Sequence, residues 1–159
     1  MTVTITPAPI RKTVHVTAPP DRAFTFFTQR MGRWWPRAHT LLGAPQQDVV
    51  IEPRLGGRWY ERGVDGSEYD WGRVLAWEPP ERIVLAWQLD ADWHYDPDLI
   101  TEVEVRFVAV EAEATRVEVE HRRLENYGAR AAETRERLDS PDAWRSTLDR
   151  YAEIASREA

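Results

Sequence analysis

The order of apolar and polar positions divides the chain into a strand, two helical segments, a run of strands and a closing helix. Arg11–Ala18 alternates, with Val14 and Val16 on one side and Thr13, His15 and Thr17 on the other, which predicts a strand. Pro19, Pro20 and Asp21 suit a helix start, and Ala23, Phe24, Phe27 and Met31 follow at helical spacing. Gly32 is expected to end or bend that helix. Trp34 and Trp35 then lie about 100° apart on a second short helix, which Pro36 stops.

From Asp48 to Arg123 the pattern is that of strands joined by turns. Residues 48–52, 56–62, 68–77, 81–89, 99–110 and 115–124 read as strands, and Asp65-Gly66 carries the hairpin signal. Gly128–Leu138 predicts a short helix. Ser140 is expected to cap a last helix, with Pro141 at its first position and Asp142 at its positive end. Trp144, Leu148, Tyr151 and Ala155 form one stripe along it. The fold class predicted is α+β. A curved antiparallel sheet of six to seven strands grips a long C-terminal helix from about Ser140 to Arg157, with two short helices after the first strand.

Composition narrows the picture. With 159 residues and no repeat or linker, residues 1–159 read as one domain with its core at about 11–157. The absence of cysteine excludes disulfides and thiolate chemistry. A net charge of −6 argues against general affinity for nucleic acid or anionic membrane. The opening "MTVTITPAPIRK" lacks the apolar core of a signal peptide, so a cytoplasmic protein without membrane insertion is expected. Eight tryptophans, five tyrosines and four phenylalanines are enough to fill a core or to line an apolar pocket.

A few positions could carry chemistry. Val117, Val119 and His121 share the inward face of one strand. A histidine there either reads a ligand or moves a proton, or it ties a buried neighbour; the structural reading is preferred. Glu102, Glu104 and Arg106 fall on the outer face, within reach of Arg122 or Arg116. Arg73 sits in a row with Tyr69, Trp71, Leu75 and Trp77, where it is expected to stack on rings or pair with an acid such as Glu61. The row Arg58, Tyr60 and Arg62 leaves the parity of that region open, and Glu52 stands in an otherwise apolar strand. Asp92, His94, Asp96 and Asp98 could be imagined around a metal, but the segment reads as an ordinary solvated turn. No metal or other cofactor is called for: no H-E-x-x-H, P-loop or G-x-S-x-G pattern occurs.

Several stretches resemble one known group. They are "APPDRAFTFFT", "RWWP", "VVIEPRLGGRWYE", "DWGRVLAWEPPERIVLAWQ", "TEVEVRF" and "VEVEHRRLENYG" leading to "DAWRSTLDRYA". In this order they resemble the SRPBCC (START/Bet v 1-like) superfamily, in its branch related to activator of Hsp90 ATPase homologue 1-like proteins. Ala143-Trp144 stands where many members of that branch carry Gly-Trp. The resemblance implies a helix-grip fold with a cavity between the sheet and the last helix, and a small hydrophobic or aromatic molecule as partner. The strand positions expected in its wall are Trp59, Trp71, Trp87, Val105, Phe107, Val119 and His121. Trp144, Leu148 and Tyr151 are expected from the helix, and Trp35 from the segment over the mouth. There Trp34 and Trp35 act as plug and lip, or else staple the short helix to the sheet. Two further functions stay open. One is a cyclase/aromatase-like enzyme with His121 as acid/base, and the other is a co-chaperone-like interaction module or a homodimer.

Overall fold

The computed structural model describes residues 6–159; residues 1–5, on which part of the leader reading rests, lie outside them. In chain order the elements are β1 (Ile10–Val16), α1 (Pro20–Gln29), α2 (Met31–Trp34), β2 (Gln46–Ile51), β3 (Arg58–Gly63), β4 (Glu68–Glu78), β5 (Arg82–Trp87), β6 (Thr101–Glu111), β7 (Ala114–Arg122), α3 (Ala131–Leu138) and α4 (Ser146–Glu158). The strands form one antiparallel sheet in the order β1-β7-β6-β5-β4-β3-β2. The sheet curls around α4, as the alternation predicts.

The interior is filled from two sides. Helix α4 buries Leu148, Tyr151, Ile154 and Ala155, and α1 buries Ala23, Phe24 and Phe27. The Tyr151 hydroxyl donates to the Ala23 carbonyl at 2.8 Å and locks the two helices together. Phe24 and Phe27 meet Phe107 of β6 edge-on at 5.1 and 5.7 Å. Each such ring stabilises the fold by roughly 1.5–3 kcal/mol of burial, with about 0.5–1.5 kcal/mol more from ring-on-ring geometry.

Four sequence expectations need correction. Ser140 makes no side-chain cap, and the last helix does not begin there. Pro141–Arg145 forms a π-type turn broken at Ala143 (φ −98°, ψ −119°), and the regular helix starts at Ser146. Gly32 lies inside α2 rather than ending α1: a Cβ there would stand 2.1 Å from Asp48 Oδ1, so its role is close approach to β2. The third helix begins at Ala131 rather than Gly128, because Gly128 adopts φ 61°. Arg73 faces solvent instead of the ring row.

The reason for the last correction is a pair of bulges in β4. Trp59 pairs with Gly72 and Tyr60 with Asp70, which leaves Trp71 as the extra residue. Val74 pairs with Leu85 and Ala76 with Val84, which leaves Leu75 extra. Each bulge shifts the alternation by one. Trp71 and Val74 therefore both turn inward while Arg73 turns out. On the neighbouring strand Trp59 and Glu61 are fully buried, and the guanidinium of Arg58 lies 4.0 Å over the outward Tyr60 ring.

The first bulge leaves the backbone of β4 pressed against β5. A Cβ on Gly72 would sit 1.6 Å from the Ala86 carbonyl oxygen, which is backbone and cannot swing aside. Gly72→Ala should therefore lower the unfolding free energy by about 3 kcal/mol in urea titrations. Gly32→Ala, opposed mainly by a movable carboxylate, should cost only about 1 kcal/mol.

Candidate functional site

The rings of α1 occupy only one end of the sheet. At the other end, under the turn that precedes α4, the interior holds a recess of about 300 Å³, open on one side. Its walls are mostly apolar. Trp71 comes from the bulge in β4, Trp87 from the end of β5, Trp35 from the residue after α2, and Trp144 from the π-type turn. Trp35 packs against Trp71 at 5.0 Å and against Trp144 at 6.0 Å. Leu41, Leu89, Trp93 and Leu138 complete the apolar lining, while His39, Ser140, Asp142 and Thr147 bring polar groups to it.

Of the residues expected in the wall, Trp35, Trp71, Trp87 and Trp144 line the recess. Trp59 stands behind Trp71 and Trp87, at 5.5 and 5.7 Å, with its indole N–H on the Met31 sulfur at 3.3 Å. Val105, Phe107, Val119, Leu148 and Tyr151 are buried in the packed core and do not reach it. Val105 and Phe107 follow Thr101 and Val103 up β6, toward the end that α1 fills. Tyr151 lies beyond the first turn of α4. Trp34 is likewise core, against Phe27 at 4.8 Å and Tyr151 at 5.0 Å, so the tryptophan pair divides into one staple and one wall.

His121 lies one layer behind the wall, fully buried. The Trp144 indole N–H donates to its Nδ1 at 3.1 Å. Because indole only donates, Nδ1 is unprotonated and Nε2 carries the hydrogen. That N–H donates to Thr101 Oγ1 at 2.8 Å, and the Thr101 hydroxyl donates in turn to the Trp87 carbonyl at 3.0 Å. One histidine thus fixes two of the four tryptophan walls. Burial pushes its pKa down from 6.5 to about 3, so it is neutral across the physiological range.

Glu61 fixes the rim. Its buried carboxylate accepts from Thr40 Oγ1 at 2.8 Å, from the Leu41 backbone N–H at 2.6 Å and from Gln46 Nε2 at 2.8 Å. It is not the partner of Arg73; it holds the segment that carries His39 and Leu41 over the opening. Glu52 has a turn role, accepting from the Arg58 backbone N–H at 2.7 Å. The outer-face acids stay far from this chemistry: Glu104 pairs with Arg82, Arg106 and Arg122, and Glu102 with Arg122, while Arg116 pairs with Glu118. Among the described residues no three His, Asp or Glu side chains converge as metal ligands would, and no helix is long and apolar enough to cross a membrane.

Periodicity does not mark the loop residues of the lining. His39, Leu41, Leu89, Trp93, Leu138, Ser140, Asp142 and Thr147 come from connections or element ends, where no repeat signals an inward face. The one available signal was Trp93, a large apolar ring among acids in "DWHYDPD".

The fold has relatives. Residues 17–155 match the family model described as activator of Hsp90 ATPase homolog 1-like protein. The chain belongs to this family. Among solved structures, an anthrahydroquino-gamma-pyrone synthase is 38% identical over 94% of this chain and 97% of its own, with a TM-score of 0.66. The self-sacrificing resistance protein CalC from Micromonospora echinospora is 30% identical over 95% and 96%, with a TM-score of 0.71. An Hsp90 activator from Plasmodium falciparum shares the fold at 19% identity, covering 92% and 94%, with a TM-score of 0.58. No curated protein matches the chain.

The neutrality of His121 has a measurable consequence. Below pH 6.5 the unfolded chain takes up a proton that the folded chain refuses until about pH 3, so stability falls as pH drops through that window. Above it both states are neutral and the group contributes no pH dependence. His121→Gln should be less stable than wild type at pH 7 by about 1–3 kcal/mol. Because the variant cannot titrate there, the gap should narrow by about 1.5 kcal/mol between pH 6.5 and pH 5. Urea midpoints at the two pH values check both parts.

Proposed function

We propose that this protein binds a small, flat aromatic molecule in the recess between the sheet and the start of α4. The observation that carries this reading is the recess itself, about 300 Å³ and walled by Trp35, Trp71, Trp87 and Trp144. That volume lies at the lower end of the range typical of small-molecule sites, roughly 300–1,000 Å³. Flat ring walls favour a flat ring ligand, through offset and edge-on contacts. The exposed large apolar side chains outside the mouth, Leu55, Val64 and Val110, sit on or beside different turns and form no common docking face. This favours the ligand over the protein-docking alternative.

A second reading is ring-closing catalysis in the same recess. It is favoured by the 38% identity to a protein whose name makes it a pyrone synthase, and by His39 and Asp142, the titratable side chains of the lining. In closing a γ-pyrone on an o-hydroxyaryl 1,3-diketone, the phenol oxygen adds to the far ketone and water leaves. A base at the phenol and an acid at the departing hydroxyl are what such a step needs. His121 is not the group for it, because it is buried behind Trp144 and its two ring nitrogens are occupied.

The test is a fluorescence titration with 1,8-dihydroxyanthraquinone. Wild type should show saturable tryptophan quenching. Thr147→Phe, which places a ring inside the recess, should weaken binding at least tenfold while keeping a cooperative melt. Equal binding by the two proteins would remove the recess from the reading. Under the catalytic reading, His39→Ala should keep the affinity for the anthraquinone and lose water elimination from an o-hydroxyaryl 1,3-diketone.

A further inference from the structure

The loop between β5 and β6 carries the feature that folding alone does not account for. Trp93 adopts φ 66°, the left-handed region that glycine and asparagine enter readily and bulky side chains avoid. The loop forces this conformation from within. The Asp90 carboxylate accepts from the backbone N–H of Asp92 at 2.8 Å and of His94 at 2.9 Å. The Trp93 N–H donates to the Asp90 carbonyl at 3.0 Å, and the Asp90 N–H to the His94 carbonyl at 2.8 Å. It is also braced from outside: Asp92 pairs with Arg130 at 2.8 Å, and Arg137 donates to the Ala91 carbonyl at 2.8 Å.

The ring held in this way is not a core ring. Trp93 is 39% exposed, whereas Trp35, Trp71, Trp87 and Trp144 are buried. Yet it lines the recess, edge-on to Trp87 at 6.1 Å. A strained backbone held by a built loop, presenting an apolar face to solvent at the mouth of an aromatic recess, is costly for the empty protein. Glycine would suit the loop better, so the ring serves something other than the loop.

We infer that Trp93 is a ligand-clamping residue: its exposed face covers a planar polycyclic aromatic molecule whose other faces meet the tryptophans of the recess. This rests on the reading of the recess as a ligand site and adds a substrate class to it. The ligand has a flat face that reaches from the recess to its mouth and is not fully enclosed. A compact aliphatic molecule would leave the Trp93 face uncovered.

The experiment compares wild type, Trp93→Gly, Trp93→Phe and Thr147→Phe, each by thermal melt and by titration with 1,8-dihydroxyanthraquinone. The expected result is a split of signs. Trp93→Gly should melt at or above the wild-type temperature, because the backbone strain is released, while affinity falls at least tenfold. Trp93→Phe, which keeps a flat face, should stay within about threefold of wild type. Affinity within twofold of wild type in Trp93→Gly would overturn the clamp; if Thr147→Phe still abolished binding, the recess reading would survive it. A Trp93→Gly protein melting well below wild type would make the ring a packing element and overturn the inference as well. Wild type that fails to bind the probe would bring down the recess reading, and the clamp with it.

Discussion

The hydrogen bond from the Trp144 indole to His121 organises the end of the molecule that holds the recess. It requires a histidine nitrogen that is free to accept, and therefore a neutral ring. Complete burial enforces that neutrality without any charged partner. The bond also requires Trp144 to turn inward ahead of α4, which the break at Ala143 allows. The chain of bonds through Thr101 to the Trp87 carbonyl then couples the helix side of the recess to the sheet side.

The hollow exists because the interior is filled unevenly. Phe24, Phe27 and Tyr151 pack one end of the sheet with interlocking rings. Nothing from α1 reaches the other end, where side chains from connections enclose the space instead. The bulge at Trp71 points an extra ring into that space, and close backbone approach at Gly72 is the condition for it. Family membership fixes the frame, and the frame is also that of an Hsp90 activator at 19% identity. Frame and activity are separable. The proposal for this chain therefore rests on its particular rings.

The paired charges of the sheet lie away from the recess, where Asp142 at the rim is, among the described residues, the one acidic side chain of the lining. The acids of β6 and β7 form a ladder of pairs on the outer face, centred on Glu104 and Arg122. Such pairs contribute little each near solvent, but they engage the carboxylates of this face with arginines rather than with the recess. Glu61 is a fully buried acid, and three neutral donors satisfy it. It holds the rim segment in place, which gives a buried charge a positional role without a salt bridge.

By itself, the sequence determined the elements and their order. Alternation in β6 and β7 set which residues face inward, including His121, because the side-chain period of a strand is local. The stripe Trp144, Leu148, Tyr151 and Ala155 identified the gripping helix for the same reason. Of the wall residues that the family resemblance implied, Trp35, Trp71, Trp87 and Trp144 line the recess. Only the tertiary structure decided which inward residues meet empty space. Phe107 and Tyr151 face inward as firmly as Trp87, yet Phe27 of α1 packs against both. The bulges that turn Arg73 outward, the break at Ala143 and the left-handed Trp93 depend on pairing registers and on contacts between residues distant in sequence. No local pattern encodes these. Periodicity reports the direction of a side chain, whereas a cavity is a property of what the rest of the fold leaves unfilled.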